Sequence, residues 1–447
     1  MKKIIKNPIQ GRSLSLMIDP TNECQLNCSY CFFGQKGICK MNSEKTAKSV
    51  LNFVDAFSQN VQNISVHYMG GEPLLGWKQI LYLNNKLRPA FKEREITFSW
   101  GLTSNLVGLS AEKAKHMVSE KANIHCSIDG PEEIQNKNRP LKNGKGSFKS
   151  VTKNVKRALQ ITPHDTVRVT VCPEDAGNLI KISGPLFKMG FQTVGLFPAY
   201  NMGWDEKSIS TWGSELLNVM EWTKKEYGSK RQISTIIKPA GKKNLDPKPF
   251  SYCGAGRGLW AFDVRGLLYH CHHFTNNPEY ALVDPSISTT EEILSKISNS
   301  SIAPQLTKNL PKSCAGCHAK PYCNGGCWAN NFLVNKESNK PETIECEMRK
   351  MTVTSIGNFM EETYSRKEPR EKMFLGCNCD TCQRCDRCDR CDHCDICQKC
   401  DSCESHCEKS CQSEDICTSR CENYCQECDG SFCGCDGCDN WCDASYL

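Results

Sequence analysis

No stretch of this 447-residue chain is apolar for long enough to span a bilayer. The opening Met1-Lys-Lys-Ile-Ile-Lys lacks the apolar segment of a secretion signal. A cytoplasmic protein is therefore expected, with neither a membrane nor a nucleic acid as partner. Large apolar residues are scarce at the far end. Between Cys377 and Leu447 there are only Ile396, Ile416, Tyr424, Phe432, Trp441, Tyr446 and Leu447. That is too few for a hydrophobic core, so this segment should lack fixed structure unless metals or covalent links organise it.

Cysteine, by contrast, is abundant. The chain has 33, of which 20 lie between Cys377 and Cys442. Disulfide-rich secreted proteins are short, so a long chain with grouped cysteines points to metal binding or thiol chemistry. Oxygen-labile clusters would imply an anaerobic or strongly reducing cell. From Cys379 to Cys403 a cysteine recurs at every third position. A helix would spread that period around its surface. The repeat sets an aspartate four positions after a cysteine at Cys382–Asp386, Cys385–Asp389, Cys388–Asp392 and Cys391–Asp395. Charge is uneven too. Residues 377–447 hold 6 Lys+Arg against 16 Asp+Glu, net −10, which leaves +16 on residues 1–376 of a chain that totals +6. A basic body and an acidic tail should attract each other, unless each surface is simply solvated.

Length allows two domains and a tail. Strands are expected at Leu14–Ile18, Asn63–Tyr68, Thr97–Leu102, Asn123–Ile128, Thr166–Val171 and Thr193–Phe197, with helices near Ala111–Glu120 and Lys149–Gln160. Such alternation argues for an α/β fold with a parallel sheet and outer helices. Barrels of this kind place active sites at the C-terminal ends of their strands, which is where the motifs fall. Ser365-Arg-Lys-Glu-Pro-Arg-Glu-Lys372 reads as an exposed linker.

The first expected strand leads into Cys24-x3-Cys28-x2-Cys31, with Tyr30 before the last cysteine. Three thiolates can hold three corners of a four-iron cluster and leave one iron open to react. A zinc knuckle would want a fourth ligand in a paired hook, and no cysteine stands at that spacing; Cys39 reads as an ordinary thiol. His67-Tyr-Met-Gly70-Gly71-Glu72-Pro73 follows the second strand, and Ser127-Ile-Asp-Gly-Pro131 with Asn138-Arg139-Pro follows the fourth. This set resembles the radical S-adenosylmethionine (SAM) superfamily, in its peptide- and protein-modifying branch.

The resemblance implies a partial (β/α)6 TIM-like barrel over residues 1–240. It also implies a [4Fe-4S] cluster on Cys24, Cys28 and Cys31. SAM contacts would come from Gly70, Gly71, Glu72 and Pro73 at its amino group, Ser127 at the ribose, Arg139 at the carboxylate and Tyr30 against the adenine. A surface salt bridge is the other reading of Arg139. Cys126 and Cys172 are most simply small buried residues.

Further on, Cys253-x12-Gly266-x4-Cys271, Cys314-x2-Cys317-x5-Cys323-x3-Cys327 and Cys346 resemble the SPASM auxiliary-cluster domain at every interval. It would span 241–364, before a linker at 365–376 and the tail at 377–447. The resemblance implies two further [4Fe-4S] clusters, one on Cys314, Cys317, Cys323 and Cys346, the other on Cys253, Cys271 and Cys327. Relatives carry another cysteine where this chain has Leu259, so the second auxiliary cluster has either an open iron for a substrate thiolate or a closing ligand of another kind. His272 and His273 are candidates for ligation or proton transfer, or simply face solvent.

What this resemblance implies is a radical SAM oxidoreductase acting on a cysteine-rich peptide, in cis or in trans. An outside one-electron reductant such as flavodoxin or ferredoxin would serve it. The 5′-deoxyadenosyl radical would take hydrogen from a peptide carbon, and a cysteine sulfur would close a thioether, as in sactipeptide and ranthipeptide synthases. No catalytic side chain is singled out. The tail would be a fused substrate, a metal store resembling a metallothionein, or a docking segment for another cysteine-rich substrate. Only 23 residues precede Cys24, too few for a leader-binding winged helix, which fits either a tethered substrate or a separate recognition partner. The rival functions are an anaerobic sulfatase-maturing enzyme that makes formylglycine and an iron–sulfur or thiol storage protein.

Overall fold

The structure, a computed structural model, describes residues 13–33, 39–57, 61–163, 166–235, 254–275, 277–300, 312–323 and 325–365. The tail and Cys253 lie outside the described residues, as does the expected boundary at 240/241. Met1–Glu361 forms one compact unit and Glu362–Leu447 a second.

The first half alternates strand and helix. It runs β1 (Ser13–Ile18), α1 (Ser43–Asp55), β2 (Asn63–Tyr68), α2 (Trp77–Glu93), β3 (Thr97–Ser104), α3 (Ala111–Ser119), β4 (Asn123–Cys126) and α4 (Glu132–Asn138). Then come α5 (Phe148–Thr152), α6 (Val155–Ile161), β5 (Thr166–Val171), α7 (Leu179–Lys188), β6 (Thr193–Pro198) and α8 (Glu206–Tyr227). The expected helix near Lys149–Gln160 is two, α5 and α6. Strands β1 to β4 pair in parallel in chain order, as do β5 and β6. The two groups meet at a parallel bridge between Ser127 and Arg168. This is an α/β partial barrel of the six-strand type.

Side-chain alternation builds the barrel wall. Leu14, Leu16 and Ile18, then Ile64, Val66 and Tyr68, then Val167, Val169 and Val171 are buried in one core with the helices. Their neighbours in sequence point the other way, into the lumen. That inner face is mostly polar, with Ser15, Ser65, His67, Thr103, His125 and Arg168 among its residues and Met17 and Phe197 as apolar exceptions. A closed barrel core would be filled by branched apolar side chains; here the lumen is fitted for a polar guest.

The second half extends the sheet. After the short β7 (Gln232–Ser234), β8 (Leu259–Phe262) pairs in parallel with β1, and β9 (Leu268–Tyr269) pairs antiparallel with β8. Helices α9 (Thr290–Ser298), α10 (Lys320–Cys323), α11 (Trp328–Asn335) and α12 (Thr343–Ser365) follow. Ala261, Tyr269, Cys271, Phe274, Trp328 and Ala329 form a second, smaller core against Met17. This core covers the inner face of the sheet at β1 and β8. Among the described residues, no helix is long and apolar enough to cross a membrane.

Helix α8 anchors α12. Trp212 is fully buried, and its indole Nε1 donates to Thr352 Oγ1 at 3.0 Å. Ser355 Oγ donates to Gly213 O at 2.7 Å. Trp212→Ala should therefore cost about 3–5 kcal/mol of stability, measured as a lowered unfolding midpoint; an unchanged midpoint would contradict this packing.

Candidate functional site

Strand β1 runs straight into the cysteine loop, which is held from three sides. From the end of β2, Gly71 N donates to Thr21 O at 3.0 Å and Glu72 N to Glu23 O at 2.8 Å. From the end of α4 and the segment after it, Asn138 O accepts from Ser29 N at 3.0 Å and Pro140 O from Asn27 N at 2.8 Å. From beyond the loop, Cys39 O accepts from Asn22 N at 2.8 Å. The glycines are needed for this contact. A Cβ on Gly71 would lie 2.3 Å from Glu23 O. One on Gly70, whose φ is +88°, would lie 2.6 Å from Thr21 O. The room the two glycines leave is taken by the cysteine loop itself.

Two N–H groups are aimed at one sulfur of the loop. Leu26 N lies 3.5 Å and Asn105 Nδ2 3.8 Å from Cys24 Sγ. Donors around a cysteine sulfur suit a thiolate that ligates metal, so the loop fits an iron–sulfur cluster. Glu72 is buried beside it and has a structural task. Its carboxylate accepts from Ser104 Oγ at 2.8 Å, Asn105 N at 2.8 Å and Leu74 N at 3.1 Å. It thereby ties the end of β2 to the end of β3. Burial raises its pKa, against these hydrogen bonds. Pro73 opens the short 3-10 turn that follows.

Past β4, Ser127 is buried and its N donates to Ser104 O at 2.9 Å. Asp129, fully buried, gathers three partners. Arg139 Nε sits 3.0 Å from its Oδ1, Thr170 N donates to the same oxygen at 3.0 Å, and Tyr30 Oη donates to Oδ2 at 2.5 Å. The Arg139 guanidinium also lies over the Tyr30 ring, 5.4 Å from its centroid. So the Arg139 salt bridge is internal, not on the surface. Burial lowers the Arg139 pKa, but Asp129, Tyr30 and Cys28 together outweigh it and the net shift is upward. Burial pushes the Tyr30 hydroxyl well up. Through this pair the cysteine loop is fastened to β4 and β5.

The auxiliary cysteines fall in two places. Cys314, Cys317, Cys323 and Cys346 line one cavity with Gly325 and Gly326. Burial pushes the Cys346 thiol up to about 11. A thiolate there needs a nearby cation, which bound metal supplies. Cys327 is not part of that lining; it packs on the second core, with Cys271 and Leu259. Glu345 of α12 holds this region by accepting from Cys327 N at 2.8 Å, Asn330 Nδ2 at 2.9 Å and Arg349 Nε at 2.7 Å.

The histidines after Cys271 turn inward rather than to solvent. Phe32, next to Cys31, stacks on His273 with centroids 4.6 Å apart and meets His272 edge-on at 5.4 Å. The triad loop and the auxiliary region thus touch across the lumen. Burial lowers the pKa of His272 far down and that of His273 to about 4. His67 reaches in from β2, with Nε2 2.8 Å from Thr103 Oγ1 and its ring 5.3 Å from His125. Its pKa falls to about 4, through burial and then His125.

Sequence reasoning passed over Asp129, Phe32, Arg168 and Asp19. Asp129 stood inside the Ser-Ile-Asp-Gly-Pro motif, and Arg168 is the one Lys, Arg, Asp or Glu in strands β1–β6. Both could have been noticed. Asp19, at the end of β1, is buried with its pKa raised to about 7 by desolvation, despite a hydrogen bond with Thr275. Nothing in the spacing marks Phe32 as the link between the two cysteine regions.

Residues 18–174 match the family described as the radical SAM superfamily. A cysteine-type anaerobic sulfatase-maturating enzyme of Clostridium novyi is 25% identical over 394 residues, covering 79% of this chain and 96% of that protein. A serine-type anaerobic sulfatase-maturating enzyme of Klebsiella aerogenes is 22% identical over 338 residues, covering 73% and 81%. Among solved structures, native anSMEcpe with bound AdoMet and a Cp18Cys peptide superposes with TM-score 0.62 at 18% identity, over 79% of this chain and 99% of that one. SuiB of Streptococcus suis bound to the precursor peptide SuiA superposes with TM-score 0.52 at 13% identity, over 76% and 77%. The likeness to these two structures is one of fold.

Two outcomes follow from the geometry. Gly71→Ala should displace the cysteine loop, reduce bound iron and lower SAM cleavage by on the order of 100-fold; undiminished iron and cleavage would contradict the loop contact. The His67 imidazole should stay neutral from pH 8 down to pH 5, since its pKa lies near 4. A ring NMR titration with a midpoint near 6.5 would contradict its burial.

Proposed function

We propose, on the premise that the chain is a radical SAM maturase, that it closes sulfur-to-carbon thioether links in a cysteine-rich peptide and that its own segment 377–447 is a substrate. The observation that carries this reading is the tail. Twenty of 33 cysteines stand there in a period-three array with aspartate four positions on, joined to a radical SAM body by a short linker. A tether of that kind gives an effective concentration of order millimolar.

Residues 1–240 form the core, 241–364 the auxiliary domain, 365–376 the linker and 377–447 the substrate segment. Cys24, Cys28 and Cys31 hold the SAM-binding [4Fe-4S] cluster. One auxiliary cluster sits on Cys314, Cys317, Cys323 and Cys346, and the other on Cys253, Cys271 and Cys327. With SAM bound, these groups supply the 5′-deoxyadenosyl radical that takes hydrogen from a peptide carbon.

The chain's own residues do the positioning. Ser127, Gly70, Gly71 and Pro73 shape the strand ends where SAM sits. Glu72 braces them, and Tyr30 and Arg139, locked on Asp129, fix the loop beside the nucleoside. Phe32, His272 and His273 form the wall between the two cysteine regions. An external reductant such as flavodoxin or ferredoxin delivers the electron.

A second reading is favoured by the relatives named above: oxidation of a cysteine or serine to formylglycine in a sulfatase. The two differ in mass. A thioether removes two hydrogens per link and keeps the sulfur; formylglycine from cysteine loses it. Full-length protein given SAM and reductant, then digested and alkylated after full reduction, should yield tail cysteines that resist alkylation, each with the two-hydrogen loss. Full alkylation of the tail with no change of mass would overturn self-modification, and loss of sulfur would favour the second reading. Cys28→Ala should abolish deoxyadenosine production; full production by that variant would refute the assignment of the loop.

A further inference from the structure

The segment that holds the cysteine loop from the side of α4 carries charge of one sign. Between Ile134 and Pro163 stand eight Lys and Arg and no Asp or Glu. Three of the eight are engaged. Arg139 is locked on Asp129, Lys137 pairs with Asp175, and Arg157 bonds to Asn154 and to Leu109 O. That leaves Lys142, Lys145, Lys149, Lys153 and Lys156, all exposed. Among the described residues, none of these five forms an ion pair.

The cysteine loop itself fixes where these lysines begin. Leu141 bridges Leu26, and Lys142 N donates to Gln25 O at 2.9 Å, one residue past Cys24. A tight turn follows, closed by Leu141 N to Lys145 O at 2.8 Å and Gly144 N to Leu141 O at 2.9 Å. The chain then enters α5, where Asn136 Oδ1 accepts from Phe148 N at 2.9 Å. Lys149, Lys153 and Lys156 come at intervals of four and three, on one side of α5 and α6. On the other side Val151, Val155 and Ala158 are buried in the core. A row of like charges does nothing for a helix by itself. The strip thus starts against the backbone of the loop, where Asn27 and Ser29 are exposed on either side of Cys28. The loop from Asp19 to Phe33 has no Lys or Arg of its own.

We propose that the strip of Lys142, Lys145, Lys149, Lys153 and Lys156 is the docking surface for an acidic one-electron carrier protein of the flavodoxin or ferredoxin class. This rests on the reading that Cys24, Cys28 and Cys31 hold a cluster reduced from outside. The carrier gives up one electron and that cluster takes it, with no bond made or broken. Electron transfer falls off steeply with distance, so the carrier must meet the protein close to the loop. Carriers of this class are strongly acidic around their cofactor. A basic rim steers and orients such a partner without a large interface. Segment 377–447, also acidic, is the competing occupant. A substrate must reach the lumen, whereas the strip runs along helices outside the barrel wall. That placement favours the carrier, and the test separates the two.

The probe is oxidised flavodoxin, titrated anaerobically into the full-length protein in a calorimeter at low ionic strength. Lys142→Glu, Lys145→Glu and Lys149→Glu together should weaken binding about tenfold, and added salt should weaken wild type far more than this variant. Arginine at the same three positions should keep the affinity. Lys48→Glu, Lys86→Glu and Lys92→Glu together, exposed on α1 and α2, should leave it unchanged. Deoxyadenosine formation driven by reduced flavodoxin should fall with the affinity. Formation driven by photoreduced deazariboflavin, small and uncharged, should not. Undiminished flavodoxin affinity in the first variant overturns the proposal. So does an equal loss in the α1 and α2 variant, which would reduce the effect to net charge. A fall with both donors alike would make the lysines a support of the loop instead. Intact flavodoxin affinity with less tail modification under deazariboflavin would assign the strip to segment 377–447. Flavodoxin binding as expected, with no deoxyadenosine from either donor in wild type, would overturn the reading of the loop and leave the docking surface standing.

Discussion

The site is built on one contact, the backbone of Gly70 and Gly71 lying flush against Thr21 and Glu23. There is no room for a side chain between them. This contact sets the height of the cysteine loop over the strand ends. Glu72 then bonds to β3, and the loop bonds to the segment after α4. Strands β1 to β4 thus meet at one loop, and the loop's position follows from the sheet register rather than from its own sequence. A loop placed by so many backbone hydrogen bonds can present three thiols in fixed geometry, which is what a site-differentiated cluster demands of its protein.

Charge is arranged around the same site in two ways. Near the cysteine loop, groups are paired and buried, as in Asp129 with Arg139 and Tyr30. In the lumen the imidazoles of His67, His272 and His273 are held neutral, and Arg168 stands without a carboxylate among the described residues. The first arrangement fixes a structure. The second leaves the lumen imidazoles unprotonated at neutral pH. Arg168 itself is open to solvent and is held by its stacking on Phe197 across Gly195.

Much of this was legible in the sequence. The strands were, because each alternates apolar and polar residues between clear turns, and β2 and β5 begin and end where the pattern puts them. The gathering of Cys314, Cys317, Cys323 and Cys346 around one cavity was legible by interval. The segment from Leu259 to Phe262 was not, since four apolar residues inside a cysteine motif carry no sign that they extend the barrel sheet beside β1. Helices α5 and α6 read as one because the periodic pattern runs through the break at Lys153. The inward turn of His272 and His273 depends on Phe32, some 240 residues earlier in the chain, and long-range stacking leaves no local trace. Glu72 reads as a charge offered to a ligand, and its bonds to Ser104 and Asn105 on the neighbouring strand end left no local trace.

In the proposed function, one iron on the loop of Cys24, Cys28 and Cys31 is free to take SAM. Anaerobic electron paramagnetic resonance of the reduced protein, in a variant whose auxiliary cysteines are replaced so that only this cluster remains, tests it most directly. Adding SAM should change the signal of that cluster, as direct ligation to iron requires. A spectrum unaltered by saturating SAM would contradict it.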